Sequence, residues 1–318
     1  KKNLFFRKKI KIIPFFLKLN ISFLKMIKVL VTGSNGQLGQ SLRLISKNHS
    51  SIEWNFFSKN QLDIEKFDQI MSVVKNKKIQ IIINCAAYTN VENSEIEFSK
   101  AYEVNSNGVK NLVNICEKLK IKLIHISTDY VFDGKKNNPY LESDETNPIS
   151  NYGKTKLLGE HNIIENMKNF NIYRVSWLFG HKKSNFIYKI LDKSKKQDNL
   201  NIVDDQFGLP TSAYDFSEFI WFTISKLYEK KMNPGIFHFS NKGDAISWYQ
   251  YALIIFDIAQ KYGIKKPNIT PINSNDLKLI ARRPKYSALN SSKIFNEIKY
   301  KHRDWRDSLE KTIQLYLK

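Results

Sequence analysis

The sequence predicts an α/β protein in which a parallel sheet is covered by helices on both faces. A continuous apolar run at residues 27–31 leads through Gly33, Gly36 and Gly39 into an amphipathic segment. Beyond it, apolar runs alternate with segments of helical periodicity as far as residue 180. Strands buried on both faces of a parallel sheet have this unbroken apolar character, and helices connect them. We therefore predict a Rossmann-type doubly wound sheet with its ligand sites at the carboxyl ends of the strands.

Each further element follows from its own pattern. Apolar runs predict strands at 52–57, 79–87, 121–127 and 172–179. Apolar residues at helical spacing predict helices at 64–75, 97–119 and 152–168, between those strands. Beyond residue 180 the pattern loosens into a short strand at 200–203 and helices near 213–230 and 247–262. This half of the chain is predicted to form a smaller C-terminal lobe laid against the sheet.

The charge distribution divides the chain further. The net charge is +21, and the first 25 residues contain eight basic residues and no acid, which leaves 21 − 8 = +13 for the rest. We expect residues 1–25 to be a basic extension, disordered or foreign to the natural protein, with Met26 as the natural start. A membrane-surface helix is the alternative for this extension, although Pro14 interrupts its pattern. Residues 26–180 are then the core, and residues 181–318 mainly the second lobe, with some segments returning to the core.

The remaining composition excludes several classes of protein. The basic residues form no single stripe and accompany no recognition helix, so we expect no nucleic-acid partner. No apolar run approaches the roughly 20 residues that span a bilayer, so no membrane partner is expected. Two cysteines, Cys85 and Cys116, have neither metal spacing nor a disulfide framework, which favours a reducing compartment and a cytoplasmic protein.

The glycine loop allows two interpretations. Glycine at 33, 36 and 39 suits a tight strand-to-helix turn, because glycine adopts backbone angles that other residues avoid. The same loop also suits a phosphate cradle, with a pyrophosphate resting on the helix N-terminus. A strand precedes these glycines and a helix follows them, which is the setting that a dinucleotide site requires. The context favours dinucleotide binding.

A second group of residues is suited to proton transfer. Tyr152 and Lys156 are four residues apart, so both side chains lie on one face of the predicted helix. A neighbouring ammonium favours the phenolate, so Lys156 is expected to lower the pKa of Tyr152 from its usual value near 10. Thr128 ends the fourth predicted strand and can supply a hydroxyl beside Tyr152. An ordinary helix surface is the alternative for the pair alone.

Seven motifs together carry a resemblance that covers residues 26–305. They are "GSNGQLG", "NCAAYTNVE", "STDYVFDG", "YGKTKLLGE", "RVSWLFG", "VDDQFGLPT" and "ARRPKYSALN". With them the chain resembles the extended short-chain dehydrogenase/reductases, and among these the dTDP-4-dehydrorhamnose reductases. The resemblance implies hydride transfer from a reduced nicotinamide to C4 of dTDP-4-dehydro-L-rhamnose, giving dTDP-L-rhamnose for cell-surface polysaccharide. It also implies that residues 26–180 are an NAD(P)-binding core with the catalytic residues and that the C-terminal lobe binds substrate.

The resemblance assigns roles to individual residues. Tyr152 donates the proton, Lys156 assists it and hydrogen-bonds the cofactor ribose, and Thr128 hydrogen-bonds the reacting oxygen. Asp129 and Trp177 contact the sugar nucleotide together with Thr128. The implied cofactor contacts are Gly33, Gly36, Gln37, Leu38, Gly39, Asp63, Ile64, Ala87, Tyr88, Thr89, Tyr152 and Lys156.

Two further expectations concern charge. Arg282 and Arg283, followed by a rigid proline, could present bidentate donors to a diphosphate, or else form an exposed basic turn. An acid that binds the ribose 2′-hydroxyl usually ends the second strand, whereas residues 55–59 contain none. Ser58 and Lys59 could instead meet a 2′-phosphate, so NADPH is the expected cofactor, with NADH accepted.

Metal, assembly and alternative functions complete the expectations. No acid occurs from residue 37 to 47, where some members of the family hold a dimer-bridging magnesium, so no metal is expected. The protein is expected to be a monomer or a homodimer. A sugar-nucleotide epimerase or dehydratase of the same superfamily shares the glycine loop and the Tyr–Lys pair. A non-catalytic nucleotide-binding regulatory subunit is the remaining alternative.

Overall fold

The structure is a computed structural model, and it describes residues 26–49, 51–181, 185–225 and 232–317. The predicted basic extension, residues 1–25, lies outside the described residues. The strands are β1 (Ile27–Thr32), β2 (Ile52–Phe56), β3 (Ile81–Asn84), β4 (Lys122–Thr128), β5 (Phe170–Val175), β6 (Leu178–Phe179), β7 (Asn199–Val203), β8 (Phe207–Gly208), β9 (Thr211–Ser212), β10 (Gly235–Phe239), β11 (Ile246–Ser247) and β12 (Asn268–Ile272).

The helices alternate with these strands in the first half of the chain. They are α1 (Gln37–Ser46), α2 (Phe67–Lys77), α3 (Val91–Ile96), α4 (Phe98–Tyr102), α5 (Gly108–Leu119), α6 (Asn151–Asn166), α7 (Phe186–Ser194), α8 (Ala213–Ser225), α9 (Trp248–Gln260), α10 (Ser292–Ile298) and α11 (Trp305–Tyr316). A π-helical turn, Glu103–Asn107, joins α4 to α5, and 3₁₀ turns occupy Asp129–Val131 and Ser274–Asp276.

The main sheet has six parallel strands in the order β10-β5-β4-β3-β1-β2. The predicted fold class is therefore confirmed. The order reverses beside β1, and this reversal opens a crevice at the carboxyl ends of β1 and β3. β10 comes from the second half of the chain, so that half contributes an edge strand to the sheet.

Two apolar layers cover the sheet, one on each face. Leu38 and Leu42 of α1 pack with Phe216 and Phe219 of α8 on one face. Helices α2, α5 and the C-terminal part of α6 supply the layer on the opposite face. A third cluster, built around α7, α9 and α11, forms the core of the remaining C-terminal segments. The sheet is buried on both sides, which explains the unbroken apolar runs of its strands.

Two predicted elements are interrupted. The predicted helix at 97–119 contains the π-helical turn, and the predicted strand at 172–179 splits into β5 and β6. The split falls at Trp177, whose φ of +46° lies in the left-handed region. A bulky residue seldom adopts this conformation, and such strain concentrates at functional sites.

Candidate functional site

The glycine loop brings backbone close to backbone. Gly33 has a φ of +60°, and a Cβ there would lie 2.6 Å from the Ala86 nitrogen. A Cβ on Gly39 would lie 2.5 Å from the Ser34 Cα. Only glycine fits at these two positions, because the loop packs directly on the end of β3 and on the first turn of α1.

The start of α1 is suited to an anion. Gly36 is its N-cap, no side chain among the described residues caps it, and its first turn carries no acid. The first N–H groups of the helix therefore remain available, and Gly36, Gln37 and Leu38 line the adjoining cavity. This geometry fits a dinucleotide pyrophosphate.

A cavity of about 760 Å³ runs along the carboxyl ends of β1, β3 and β4. Its volume suits a sizeable organic ligand. Among the predicted site residues, those that line it are Gly33, Gly36, Gln37, Leu38, Asp63, Ile64, Ala87, Tyr88, Thr89, Thr128, Asp129, Tyr152, Lys156 and Trp177. The fold thus brings together residues that are up to about half the chain apart in sequence.

Local capping positions Tyr152 and Lys156. Ser150 caps α6, and its Oγ accepts a hydrogen bond from the Gly153 N–H at 3.2 Å. Tyr152 and Lys156 then lie on the cavity side of the helix, one turn apart. Thr128 ends β4 and lines the cavity together with Tyr152. These three side chains thus lie together at the cavity wall.

The protonation of Tyr152 differs from the expectation. Burial raises the pKa of Tyr152 to about 12, and the nearby Thr128 hydroxyl only partly opposes this. The expectation that Lys156 lowers the Tyr152 pKa is therefore wrong for this structure. The Lys156 Nζ instead donates to the Ile126 carbonyl at 2.7 Å. Tyr152 is protonated throughout the physiological range, which is the form that a proton donor needs.

Lys156 is itself buried, with 2% of its surface exposed. Burial lowers the pKa of Lys156 to about 8, against the opposing influence of Glu160 and Cys85. Near neutral pH this side chain is mostly an ammonium, but it lies within about one pH unit of losing its proton.

Asp129 presents a carboxyl group beside Thr128. Burial raises the pKa of Asp129 to about 7, while the nearby hydroxyls of Ser287 and Thr128 oppose the shift. The Thr128 hydroxyl donates to Asp129 Oδ1 at 3.0 Å. A carboxyl in this position can accept a hydrogen bond from a ligand hydroxyl, at the energetic cost of keeping a charge in a buried site.

The π-helical turn fixes the loop after β3. The Asn105 amide accepts from the Tyr88 N–H at 2.9 Å, and it donates to the Tyr88 carbonyl at 3.1 Å and to the Thr155 hydroxyl at 3.1 Å. One buried side chain thereby ties the Ala87–Thr89 part of the cavity wall to α6.

The far end of the cavity carries three charged side chains, and sequence reasoning considered two of them, Lys59 and Asp63, but not Glu65. Lys59 and Glu65 both line it, with 3.0 Å between the Lys59 Nζ and a Glu65 carboxylate oxygen. Asp63 lies 4.0 Å from the same ammonium. Glu65 was missed because it follows the second strand by nine residues, outside the turn where a ribose-binding acid is usually sought.

Trp248 is a second missed residue. Its indole stacks on that of Trp177, with ring centroids 3.4 Å apart and planes 5° apart, and both line the cavity. A Cβ on Gly208 would lie 2.3 Å from the Trp177 ring, so the Trp177 indole packs between the Gly208 backbone and Trp248. Trp248 begins α9, about seventy residues away in sequence, and no local pattern marked it.

Three predicted residues do not line the cavity. Gly39 packs inside the loop, as described above. Arg282 is exposed, and Arg283 forms an ion pair with Glu92 at 2.6 Å. Glu92 also accepts the Ile280 N–H at 2.9 Å, so it anchors the arginine loop on α3. Arg283 would have to exchange this partner to bind a diphosphate.

The residues that the structure describes contain neither a metal-binding cluster nor a membrane-spanning helix. Within residues 26–49, 51–181, 185–225 and 232–317, no three His, Cys, Asp or Glu side chains are grouped to hold a metal ion. Across the same described residues, every helix is too short or too polar to cross a bilayer.

Comparison with known proteins agrees with this geometry. A family model described as "RmlD substrate binding domain" matches residues 27–318. The dTDP-4-dehydrorhamnose reductase of Aggregatibacter actinomycetemcomitans is 36% identical over 294 residues, which cover 92% of this chain and 99% of that protein.

Solved structures give the same result. A crystal structure of a dTDP-4-dehydrorhamnose reductase from Clostridium acetobutylicum is similar with a TM-score of 0.84 at 35% identity, covering 92% of this chain and 100% of that one. The reductase of Bacillus anthracis, in complex with NADP, has a TM-score of 0.80 at 32% identity, with 92% and 98% covered. The chain belongs to the RmlD substrate-binding-domain family, together with these dTDP-4-dehydrorhamnose reductases.

Proposed function

We propose that the protein reduces the C4 ketone of dTDP-4-dehydro-L-rhamnose to give dTDP-L-rhamnose. The observation that carries the proposal is the meeting of Thr128, Tyr152 and Lys156 with the glycine loop in one cavity. The names of the relatives above support this reductase over an epimerase or dehydratase, and over a non-catalytic subunit.

The residues divide the chemistry as follows. A bound reduced nicotinamide supplies the hydride. Tyr152, protonated because burial raises its pKa to about 12, gives its proton to the oxygen at C4 as negative charge develops there. Thr128 hydrogen-bonds the same oxygen, and Lys156 holds the cofactor ribose. A positioned general acid of this kind contributes about 10²–10⁴ in rate.

NADPH is the cofactor that we propose, and the Bacillus anthracis relative was solved with NADP. The first turn of α1 suits the pyrophosphate, and the turn directly after β2, residues 57–59, carries no acid. Lys59 is the cation best placed to meet a 2′-phosphate, with Glu65 competing for it.

The sugar nucleotide is proposed to lie between the two parts of the chain. Residues 26–180 would hold the cofactor, and residues 181–318 would mainly hold the dTDP-sugar. Asp129 and Trp177 of the first part and Trp248 of the second part line the cavity together. A cytoplasmic location is proposed, because Cys85 and Cys116 are free thiols, which favours a reducing compartment.

The test supplies the full chain with dTDP-4-dehydro-L-rhamnose and NADPH or NADH. We expect loss of nicotinamide absorbance and one equivalent of dTDP-L-rhamnose, identified by mass and NMR. Conversion of a dTDP-sugar with no net consumption of nicotinamide would instead support an epimerase or dehydratase. Binding of both ligands without turnover would support the regulatory subunit.

A further inference from the structure

Three polar side chains cross the sheet beneath the catalytic group. Thr32, Asn84 and His125 occupy paired positions on the adjacent strands β1, β3 and β4, and each is at most 1% exposed. The Thr32 hydroxyl lies 2.7 Å from Asn84 Oδ1, and Asn84 Nδ2 lies 3.1 Å from His125 Nδ1. The remaining ring nitrogen, His125 Nε2, lies 3.3 Å from the Lys156 Nζ. The row therefore ends on a residue of the proposed catalytic group.

The direction of this chain of hydrogen bonds is fixed at one point. Asn84 Oδ1 also accepts the backbone N–H of Ala86 at 3.2 Å, and a backbone N–H can only donate. The oxygen of the Asn84 amide is thereby identified, so its nitrogen must face His125 and donate to Nδ1. A neutral imidazole that accepts at Nδ1 carries its proton on Nε2.

We propose that His125 is a positioning residue for Lys156, with its Nε2–H directed at the Lys156 amine by the Thr32–Asn84 row. The inference rests on the proposed function only for the role of Lys156 in turnover. An N–H aimed at Nζ can donate to the lone pair of a neutral amine, whereas it opposes an ammonium. A hydrogen bond to the neutral form of a base disfavours its charged form. His125 would thus hold Lys156 ready to release its proton near neutral pH.

The surroundings of Lys156 agree with this role. The Ile126 carbonyl accepts from Nζ and suits both forms of the side chain. Glu160, one turn along α6, and Cys85 at the end of β3 favour the ammonium, while burial opposes it. Glu160 forms an ion pair with Arg174, with 2.6 Å between Arg174 Nη2 and Glu160 Oε2. The guanidinium therefore largely balances the negative charge of Glu160.

The remaining neighbours of this group do not carry competing charge. Tyr152 faces the same cavity, and it is neutral below about pH 12. Burial, with Lys156 nearby, lowers the pKa of His125 well below its usual range. His125 therefore stays neutral and keeps one tautomer while Lys156 titrates.

The first test reads the tautomer directly and needs no activity. Long-range ¹H–¹⁵N correlation spectra of the full-length, ¹⁵N-histidine-labelled protein distinguish Nε2–H from Nδ1–H imidazole. The His125 signal is assigned by its loss from His125→Asn or His125→Gln. We expect neutral Nε2–H from pH 6 to 9. An Nδ1–H tautomer or an imidazolium would overturn the proposal.

The second test is the pH profile of kcat. Asn retains a group near Nδ1 that can contact Asn84, but it does not reach Lys156. His125→Asn should move the alkaline limb upward by about one pH unit, the shift equivalent to one lost hydrogen bond. His125→Gln, whose amide can present its oxygen to Nζ, should move it at least as far. A lower kcat with an unmoved limb would mean that His125 only packs, and would contradict the proposal.

Thr32→Val is the matched control. It removes the far end of the row but leaves the Ala86 N–H on Asn84 Oδ1, so the direction of the remaining bonds is kept. We expect lower thermal stability and an unchanged alkaline limb, and a moved limb in this variant would count against the proposal. If the parent protein has no reductase activity, the proposed function fails, while the tautomer measurement still decides the role of His125.

Discussion

The buried carboxyl of Asp129 makes a quantitative prediction about stability. Its pKa is about 7 in the folded chain, raised from an ordinary 3.8 chiefly by burial. A raised carboxyl pKa means that the folded state binds the proton more tightly than the unfolded state. The contribution of Asp129 to stability is then greatest below pH 3.8, falls as the pH rises, and is fully lost above pH 7. Linkage between these two values gives a loss of about 2.5 kcal/mol from pH 5 to pH 8.

Asp129→Asn removes this titration while keeping the shape of the side chain. Relative to the parent, the variant should gain about 2.5 kcal/mol between pH 5 and pH 8, because an amide cannot ionise. For a chain of this length that corresponds to a relative rise in Tm of about 4 °C. Differential scanning calorimetry of both proteins at the two pH values measures it.

Asp133→Asn serves as the control for Asp129→Asn. The Asp133 pKa is lowered, with hydrogen bonds from Lys135, Tyr140 and Asn147 outweighing burial. Its titration therefore lies below pH 3.8, and this substitution should change Tm equally at pH 5 and pH 8. If the Tm difference for Asp129→Asn is also independent of pH, Asp129 does not titrate between pH 5 and pH 8 in the folded protein, which would contradict the prediction.

Two further predictions concern binding. Glu65→Gln should free Lys59 for a 2′-phosphate and favour binding of NADPH over NADH by about threefold. The effect is modest because Lys59 is largely exposed. Equal changes in the two Kd values, measured by nicotinamide fluorescence, would place the 2′-phosphate elsewhere. Trp248→Ala should raise KM for the dTDP-sugar about five- to tenfold and leave NADPH affinity unchanged. Trp248→Phe should retain most of the affinity for the dTDP-sugar. An unchanged KM in the alanine variant would mean that the stacked pair is not part of the substrate site.

The sequence was most informative where structure depends on local pattern. Apolar runs identified the first five strands of the main sheet, because burial on both faces requires apolar residues. The glycine spacing identified the tight loop before α1, because close backbone contact requires glycine. The π-helical turn could not be found in this way. Its residue Asn105 bridges Tyr88 and Thr155, which are distant from it in sequence, so no local pattern marks the turn.

Long-range partners account for the other differences. Arg283 resembled a free anion ligand until Glu92 was placed beside it. Trp177 resembled part of a continuous strand, but its stacking with Trp248 and its contact with Gly208 accompany a left-handed backbone. The pKa of Tyr152 depended on the depth of its burial, which spacing along a helix cannot reveal. Asn84 and His125 did leave a signal, since each is a polar residue within an otherwise apolar strand.

The most direct test of the proposed mechanism is kcat of Tyr152→Phe beside its NADPH Kd. The substitution keeps the ring and removes the proton donor, while Gly36 and the first turn of α1 remain to bind the pyrophosphate. We expect kcat to fall by about 10²–10⁴, roughly 3–5 kcal/mol of barrier, and the NADPH Kd to stay within about twofold of the parent. A kcat within a few-fold of the parent would contradict the proposed mechanism, because another group would then supply the proton.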